Sequence, residues 1–130
     1  MLNSKSISNW KEFEDFAREI MSQYFGVDLT ERKLKGFPKE FDMVSPDEEI
    51  EIIGDAKFLT LVRGKKWPSA KSMEIAGHVW LLEKVKAKRR FLVFGNQKRV
   101  SEWWLEKYGR LVQSVEFYFI DDKGNVERLK

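Results

Sequence analysis

The chain has 130 residues, of which 42% are apolar, and its 24 Lys and Arg against 21 Asp and Glu give a net charge of +3. This length suits a single domain over residues 1–130, and the apolar fraction is large enough for a core without covalent cross-links. The absence of Cys and the presence of one His exclude disulfides, thiolate chemistry and zinc sites built from several Cys or His. No apolar run approaches the roughly 20 residues that cross a bilayer, and the polar start is unlike a signal peptide. We therefore expect a cytoplasmic protein with no membrane partner.

The charge is unevenly distributed along the chain. Residues 1–60 hold 8 Lys and Arg against 13 Asp and Glu, whereas residues 61–130 hold 16 against 8. An acidic cluster beside a basic half is typical of a cation site that faces a polyanion. Ordinary surface charge is the alternative explanation.

The first half of the chain predicts one helix and three strands. Residues 9–26 carry Trp10, Phe13, Ala17, Ile20 and Tyr24 at helical spacing, and Gly26 ends the helix. Strands are predicted over 27–37, 39–45 and 49–61. A basic loop over 62–72 follows, broken by Gly64 and Pro68.

The second half predicts a helix over 72–86, whose apolar stripe runs Met73, Ala76, Val79, Leu82 and Val85. A continuous apolar strand over 89–96 is typical of burial on both faces. A helix over 100–109 and a strand, turn and short strand over 114–130 complete the chain. The order α-β-β-β-α-β-α-β predicts an α/β fold with a central mixed sheet flanked by helices.

The third predicted strand places an acid and a base two residues apart, Asp55 and Lys57, so both side chains point to one face. A hairpin joining it to the preceding strand would bring Asp42 close to Asp55. Two carboxylates and a backbone carbonyl form an oxygen-rich site that suits a hard cation such as Mg²⁺, with Mn²⁺ as a substitute. Lys57 cannot ligate the ion, but its ammonium can position a water or stabilise charge on a phosphate.

Phe41-Asp42, followed thirteen residues later by Asp55-Ala56-Lys57, resembles the motif of the PD-(D/E)xK nuclease superfamily. That superfamily includes restriction endonucleases and Holliday-junction resolvases. The helical run FEDFAREIMSQYFG over residues 13–26 resembles the helix that often supplies it with a third acid. Phe41 stands where the motif has Pro, a departure that the superfamily tolerates. The resemblance covers most of the chain and implies a restriction-endonuclease-like fold.

The resemblance implies Asp42, Asp55 and the carbonyl of Ala56 as metal ligands and Lys57 as the residue that acts on the attacking water. Glu14 would be the helix acid, with Glu19 as its competitor; both lie at borders of the apolar stripe, and the motif alone favours Glu14. The activity implied is a Mg²⁺-dependent endonuclease that hydrolyses phosphodiester bonds, in DNA rather than RNA. A homodimer is compatible with the way such nucleases cut.

The basic loop over residues 63–71 follows the predicted strand that carries Asp55 and Lys57, and it combines cations with one aromatic ring. Its candidate nucleic-acid-binding residues are Arg63, Lys65, Lys66, Trp67 and Lys71. The cations would bind phosphates while the Trp stacks on a base. A solvated loop is the alternative.

The other residues also have structural interpretations. Asp42 could end a strand, Asp55 and Lys57 could form a solvated ion pair of little energetic value, and Glu14 could be an ordinary solvated helix residue. Trp103 and Trp104 are interpreted as core packing. The alternative function is a non-catalytic nucleic-acid-binding module on the same fold, and a further one is a small scaffold protein.

Overall fold

The structure is a computed structural model that describes residue 7 and residues 9–61 and 69–130. Its helices are α1 (Trp10–Phe25), α2 (Ser69–Lys84) and α3 (Lys98–Tyr108), the last followed by a 3₁₀ turn over Gly109–Leu111. Its strands are β1 (Thr30–Lys33), β2 (Glu40–Val44), β3 (Ile52–Leu59), β4 (Arg89–Asn96), β5 (Glu116–Ile120) and β6 (Val126–Arg128). The predicted elements are therefore present in the predicted order, with ends that differ by a few residues.

The six strands form one mixed sheet in the order β1-β2-β3-β4-β5-β6. β1, β2 and β3 pair antiparallel, β3, β4 and β5 pair parallel, and β6 returns antiparallel to β5. The parallel centre is buried on both faces, as its unbroken apolar sequence requires. The prediction of an α/β fold with a central mixed sheet flanked by helices is confirmed in that form.

Each face of the sheet has its own core. Phe13, Ala17, Ile20 and Met21 of α1 pack on one face. On the other face α2 and α3 contribute a second set of side chains: Ile75, Val79, Leu82, Val100 and Trp104. Trp104 is 1% exposed, as expected of a core residue.

Gly95 on β4 determines how closely α1 approaches the sheet. A Cβ atom built at Gly95 would lie 2.3 Å from the ring of Phe13, closer than carbon atoms can approach. The missing side chain therefore admits Phe13 against the sheet. This contact holds the N-terminal half of α1, and with it Glu14, beside the first three strands.

The apolar face of α2 differs from the predicted stripe. Ser72, Ile75, Val79 and Leu82 are buried, whereas Met73 is 65% exposed. The inclusion of Met73 in the stripe was therefore wrong. α2 also begins at Ser69, so Lys71 lies on a helix and not in the predicted loop.

No helix among residues 7, 9–61 and 69–130 is long and apolar enough to span a bilayer.

Candidate active site

The hairpin of β2 and β3 brings Asp42 and Asp55 together. The backbone ladder pairs Val44 with Ile53 and Met43 with Gly54, and the two acids come next along the strands. The backbone N–H of Asp42 donates to Asp55 Oδ1 at 3.0 Å, and the N–H of Ala56 donates to Asp42 Oδ2 at 2.9 Å. Carboxylate oxygens thus replace carbonyls as the acceptors that join the strands. The acids are 8% and 0% exposed, so the predicted convergence occurs at a buried point of the hairpin.

Asp55 has a cationic partner that was not predicted. Lys39 Nζ lies 2.9 Å from Asp55 Oδ1 and 2.8 Å from Oδ2. The same ammonium donates to the Glu40 carbonyl at 2.7 Å and lies 4.4 Å from the centre of the Phe41 ring. Burial raises the pKa of Asp55 to about 6, and Lys39 opposes that rise. Both oxygens of Asp55 therefore have donors within the protein.

Asp42 belongs to a different group of charges. Carboxylate oxygens of Glu14, Glu31 and Asp42 all lie within 4.8 Å of one another. Glu31 comes from β1, at a shift in register between Thr30 and Arg32. Glu14 comes from α1. Among the described residues, this group has the spacing that a shared cation needs.

The donor set of this group fits a hard divalent cation. Three carboxylates from three elements supply oxygen ligands, which Mg²⁺, Mn²⁺ and Ca²⁺ prefer, and they provide the negative charge that such an ion neutralises. Their mutual repulsion in the metal-free protein is a reason for an ion to bind. The identity of Asp55 and Ala56 as further ligands stays a prediction.

The pKa of Glu14 reflects this crowding. The pKa of this carboxyl is raised to about 7, mainly by burial. The negative charges of Asp42 and Glu31 contribute to the rise, and Asp42 has the larger effect of the two. Lys11 and Arg18 act in the opposite direction. Arg18 also donates from Nε to the Asp42 carbonyl at 2.9 Å, which ties α1 to β2 beside the acids. Glu14 therefore gives up its proton reluctantly unless a cation is present.

Glu14→Gln is expected to stabilise the metal-free protein at alkaline pH. The folded-state pKa of Glu14, about 7, lies above the ordinary 4.5, so its contribution to stability is present below pH 4.5 and is lost as the pH rises through 7. Gln cannot ionise, so the melting temperature of the variant relative to wild type should rise by a few degrees across that interval in EDTA. Thermal melts from pH 4.5 to 8.5 measure it.

Glu19→Gln is the matched control, because Glu19 lies on the same helix but is exposed. It should show no comparable rise. A Glu14→Gln variant whose relative melting temperature is flat with pH would contradict the crowding of the three carboxylates. Among the described residues Glu19 is not part of the group with ligand spacing, and Glu14 is.

Lys57 does not pair with Asp55. Its Nζ lies 2.9 Å from Glu74 Oε2 on α2, and its side chain is 11% exposed. The alternative of a solvated Asp55–Lys57 ion pair was therefore wrong. Period-two alternation still directs both side chains to the α2 face of β3, because Ala56 between them packs in the core on the α1 face.

A cavity of about 270 Å³ lies between Glu14, one member of the acidic group, and Lys57. It opens between α1, β3 and α2, and both Glu14 and Lys57 line it. The complete lining is Trp10, Glu14, Ala56, Lys57, Phe58, Lys71, Glu74 and His78. An acid that could hold a cation and the ammonium that could act on a phosphate therefore face one space.

The structure describes only part of the predicted nucleic-acid surface. Arg63, Lys65, Lys66 and Trp67 lie outside the described residues. Lys71 lies on α2 and lines the cavity.

Glu31, Lys39, Glu74 and His78 were not identified as site residues from the sequence. The sequence could have pointed to Lys39, because it begins the predicted strand that carries Asp42 three residues later. Glu31 and Glu74 had no such signal, because their neighbours in the site come from distant parts of the chain.

No family model and no curated protein matches this chain. Among solved structures, SfsA of Pyrococcus furiosus in complex with Ca²⁺ matches with 16% identity and a TM-score of 0.44. The match covers 92% of this chain and 60% of that one, so the chain spans about three fifths of the length of that protein. A TM-score of this size does not establish a shared fold.

Proposed function

We propose that this chain is a metal-dependent nuclease of the PD-(D/E)xK type that hydrolyses phosphodiester bonds in DNA. The observation that carries the proposal is the cavity that Glu14 and Lys57 share, beside the buried pair Asp42 and Asp55. Each of these four residues was selected from a motif, and three separate segments supply them. Chance occurrences of an Asp-x-Lys tripeptide have no reason to meet a helix acid in one cavity.

Glu14, Glu31 and Asp42 would hold the cation, and Asp55 and the carbonyl of Ala56 would complete its shell if Lys39 withdraws. When bound, Mg²⁺ activates water and neutralises charge on the phosphate. Asp42 is held by the Ala56 N–H at 2.9 Å and cannot turn away without losing that bond. The protein therefore pre-orients one ligand before any ion arrives.

Lys57 would act on the phosphate side of the same reaction. Its stem is buried by the sheet while its ammonium faces the cavity, so the position of the charge is restricted. An ammonium in a partly desolvated cavity stabilises negative charge that grows on a phosphoryl oxygen more strongly than one in water does. Its contribution belongs to the transition state and not to binding of the ion.

Cleavage of DNA is expected to require Mg²⁺ or Mn²⁺, to stop in EDTA, and to be weak in Ca²⁺ even though Ca²⁺ supports binding. Ca²⁺ satisfies the same carboxylates but is larger, accepts looser geometry and is a poor activator of water. Supercoiled plasmid and end-labelled oligonucleotides provide the assay. Asp42→Asn purified in parallel controls for a contaminating nuclease, and cleavage that persists in EDTA would exclude this mechanism.

The alternative is a non-catalytic nucleic-acid-binding module, and the Lys39–Asp55 pair is the observation that favours it. If Lys39 stays bound at 2.8 Å, Asp55 is neutralised and cannot complete the metal shell. The module would then bind DNA in EDTA and in Mg²⁺ with similar affinity and cleave in neither.

A further inference from the structure

α2 forms the second wall of the cavity, and it does so with one face. Lys71, Glu74 and His78 follow one another at intervals of three and four residues, so their side chains lie on one side of the helix. That side faces β3, since all three line the cavity together with Lys57. None of the three is part of the apolar stripe that packs α2 on the sheet.

Glu74 joins two cations from different elements. Its Oε2 lies 2.9 Å from Nζ of Lys57 on β3 and 3.4 Å from Nζ of Lys71 on α2. One carboxylate oxygen is therefore shared by two ammonium groups at the cavity wall. The Glu74 side chain is itself 42% exposed, so rotation into solvent is open to it.

We propose that Lys57, Lys71 and His78 form a phosphate-binding site and that Glu74 holds the place of a phosphodiester oxygen until a nucleic acid displaces it. This inference rests on the proposed function, because Lys57 takes part in both. Carboxylate and phosphate oxygens accept the same charge-assisted hydrogen bonds from an ammonium group. An oxygen bound by two lysines in a cavity marks where an anionic ligand can bind.

His78 gives the site a neutral donor. Its Nδ1 is buried and, within the described part of the chain, has no hydrogen-bond partner. Burial lowers the pKa of His78 to about 4, and the charges of Lys57 and Lys39 add to that effect. The imidazole is therefore uncharged at neutral pH and has one N–H to donate. A buried polar atom without a partner costs free energy. Because Nδ1 is shielded from solvent, it meets a phosphate oxygen when the imidazole ring turns toward the cavity that His78 lines.

Glu74 competes with substrate because it stays ionised. Burial acts to raise its pKa, but the hydrogen bond and charge of Lys57, with Lys71, lower the pKa overall. A nucleic acid must therefore displace a charged carboxylate before its phosphate reaches Lys57. A ligand of low negative charge cannot replace the two interactions that Glu74 gives up, so Glu74 selects for phosphate.

Glu74→Gln tests the proposal directly. In EDTA, where no cleavage occurs, the variant should bind a fluorescent duplex about tenfold more tightly than wild type at low salt, since the competing charge is gone. Its log–log salt dependence should steepen by up to about two units, because two lysines become available to phosphates at a slope near 0.9 each. Glu106→Gln, the same charge change at an exposed position of α3, should stay within about twofold of wild type. Glu74→Gln binding no tighter than Glu106→Gln overturns the proposal.

The single histidine of the chain provides a readout at the site itself. His78 gives the only imidazole signals in a proton NMR spectrum, and titration with inorganic phosphate should shift them. The shift should be half complete at a lower phosphate concentration in Glu74→Gln than in wild type. Sodium chloride at matched ionic strength should leave the signals in place. Signals that do not move with phosphate in Glu74→Gln overturn the assignment of the site to this cavity.

These results are separable from the nuclease proposal. Tighter binding by Glu74→Gln together with a wild-type protein that cleaves nothing in Mg²⁺ would reject the nuclease and leave the phosphate site established. Cleavage that depends on Mg²⁺ together with unchanged binding by Glu74→Gln would support the nuclease and reject the phosphate site.

Discussion

Lys57→Ala is expected to abolish cleavage, by about a thousandfold or more, while leaving the fold and the binding of the cation intact. Removing one donor that stabilises a developing oxyanion typically costs a hundred- to a thousandfold in rate, and Lys57 would also position the substrate phosphate. Its ammonium cannot be a metal ligand, so the loss should fall on the rate at saturating DNA. Single-turnover cleavage with enzyme in excess measures that rate.

Lys57→Ala leaves few unpaired charges behind. Glu74 keeps Lys71 as a partner at 3.4 Å and is partly solvated, so circular dichroism and the melting temperature should stay close to wild type. A rise in melting temperature on addition of Ca²⁺ should persist, which shows that the cation still binds. Lys123→Ala, at an exposed turn, controls for loss of one positive charge. Wild-type cleavage by Lys57→Ala would make the Asp-Ala-Lys strand structural and remove the main support for the nuclease.

Asp42→Asn is expected to eliminate the effect of divalent cations on stability and, with it, cleavage. Asn keeps an oxygen that can accept from the Ala56 N–H, the bond that now spans 2.9 Å, so the hairpin should form. It removes the charge at the centre of the group with Glu14 and Glu31, so affinity for the ion should fall. Melts with and without Mg²⁺ and Ca²⁺ measure the first effect, and plasmid cleavage measures the second.

Asp55→Asn is the matched variant, with the same chemical change one strand away. It removes the charge that Lys39 neutralises, while Asn keeps an oxygen that can accept from the Asp42 N–H. The response of its melting temperature to Ca²⁺ should therefore persist, unlike that of Asp42→Asn. Equal responses of the two variants to Ca²⁺ would contradict the assignment of the ion to the Asp42 group.

The sequence determined the order of elements because their signals are local. The apolar run over 91–94 is short and continuous, two arginines precede it and Gly95 and Asn96 follow it, and β4 spans the predicted residues 89–96. Helical spacing of apolar residues and the glycine at 26 predict α1 to within a residue at each end. Asp42 and Asp55 could be placed side by side because a short connection between antiparallel strands leaves few registers open.

The sequence could not choose the partners of the charged side chains. Asp55 pairs with Lys39, and Lys57 pairs with Glu74. The i, i+2 spacing alone had suggested that Asp55 and Lys57 would pair with each other. Period-two alternation places two side chains on one face, but which cation reaches a carboxylate depends on long flexible stems. Those contacts differ by small free energies that local pattern does not encode.

Tertiary structure alone decided which helix surfaces line the cavity. Shifting the buried stripe of α2 from Met73 to Ser72 and Ile75 turns Glu74 and His78 toward Lys57. α2 carries apolar side chains on its exposed side as well, with Met73 and Trp80 in solvent, so the packing against the sheet made the choice. Glu31 lies beside Asp42 because the register between β1 and β2 is irregular at this point. These contacts between distant segments form only when the whole sheet and its two helical layers come together, and no window of the sequence contains them.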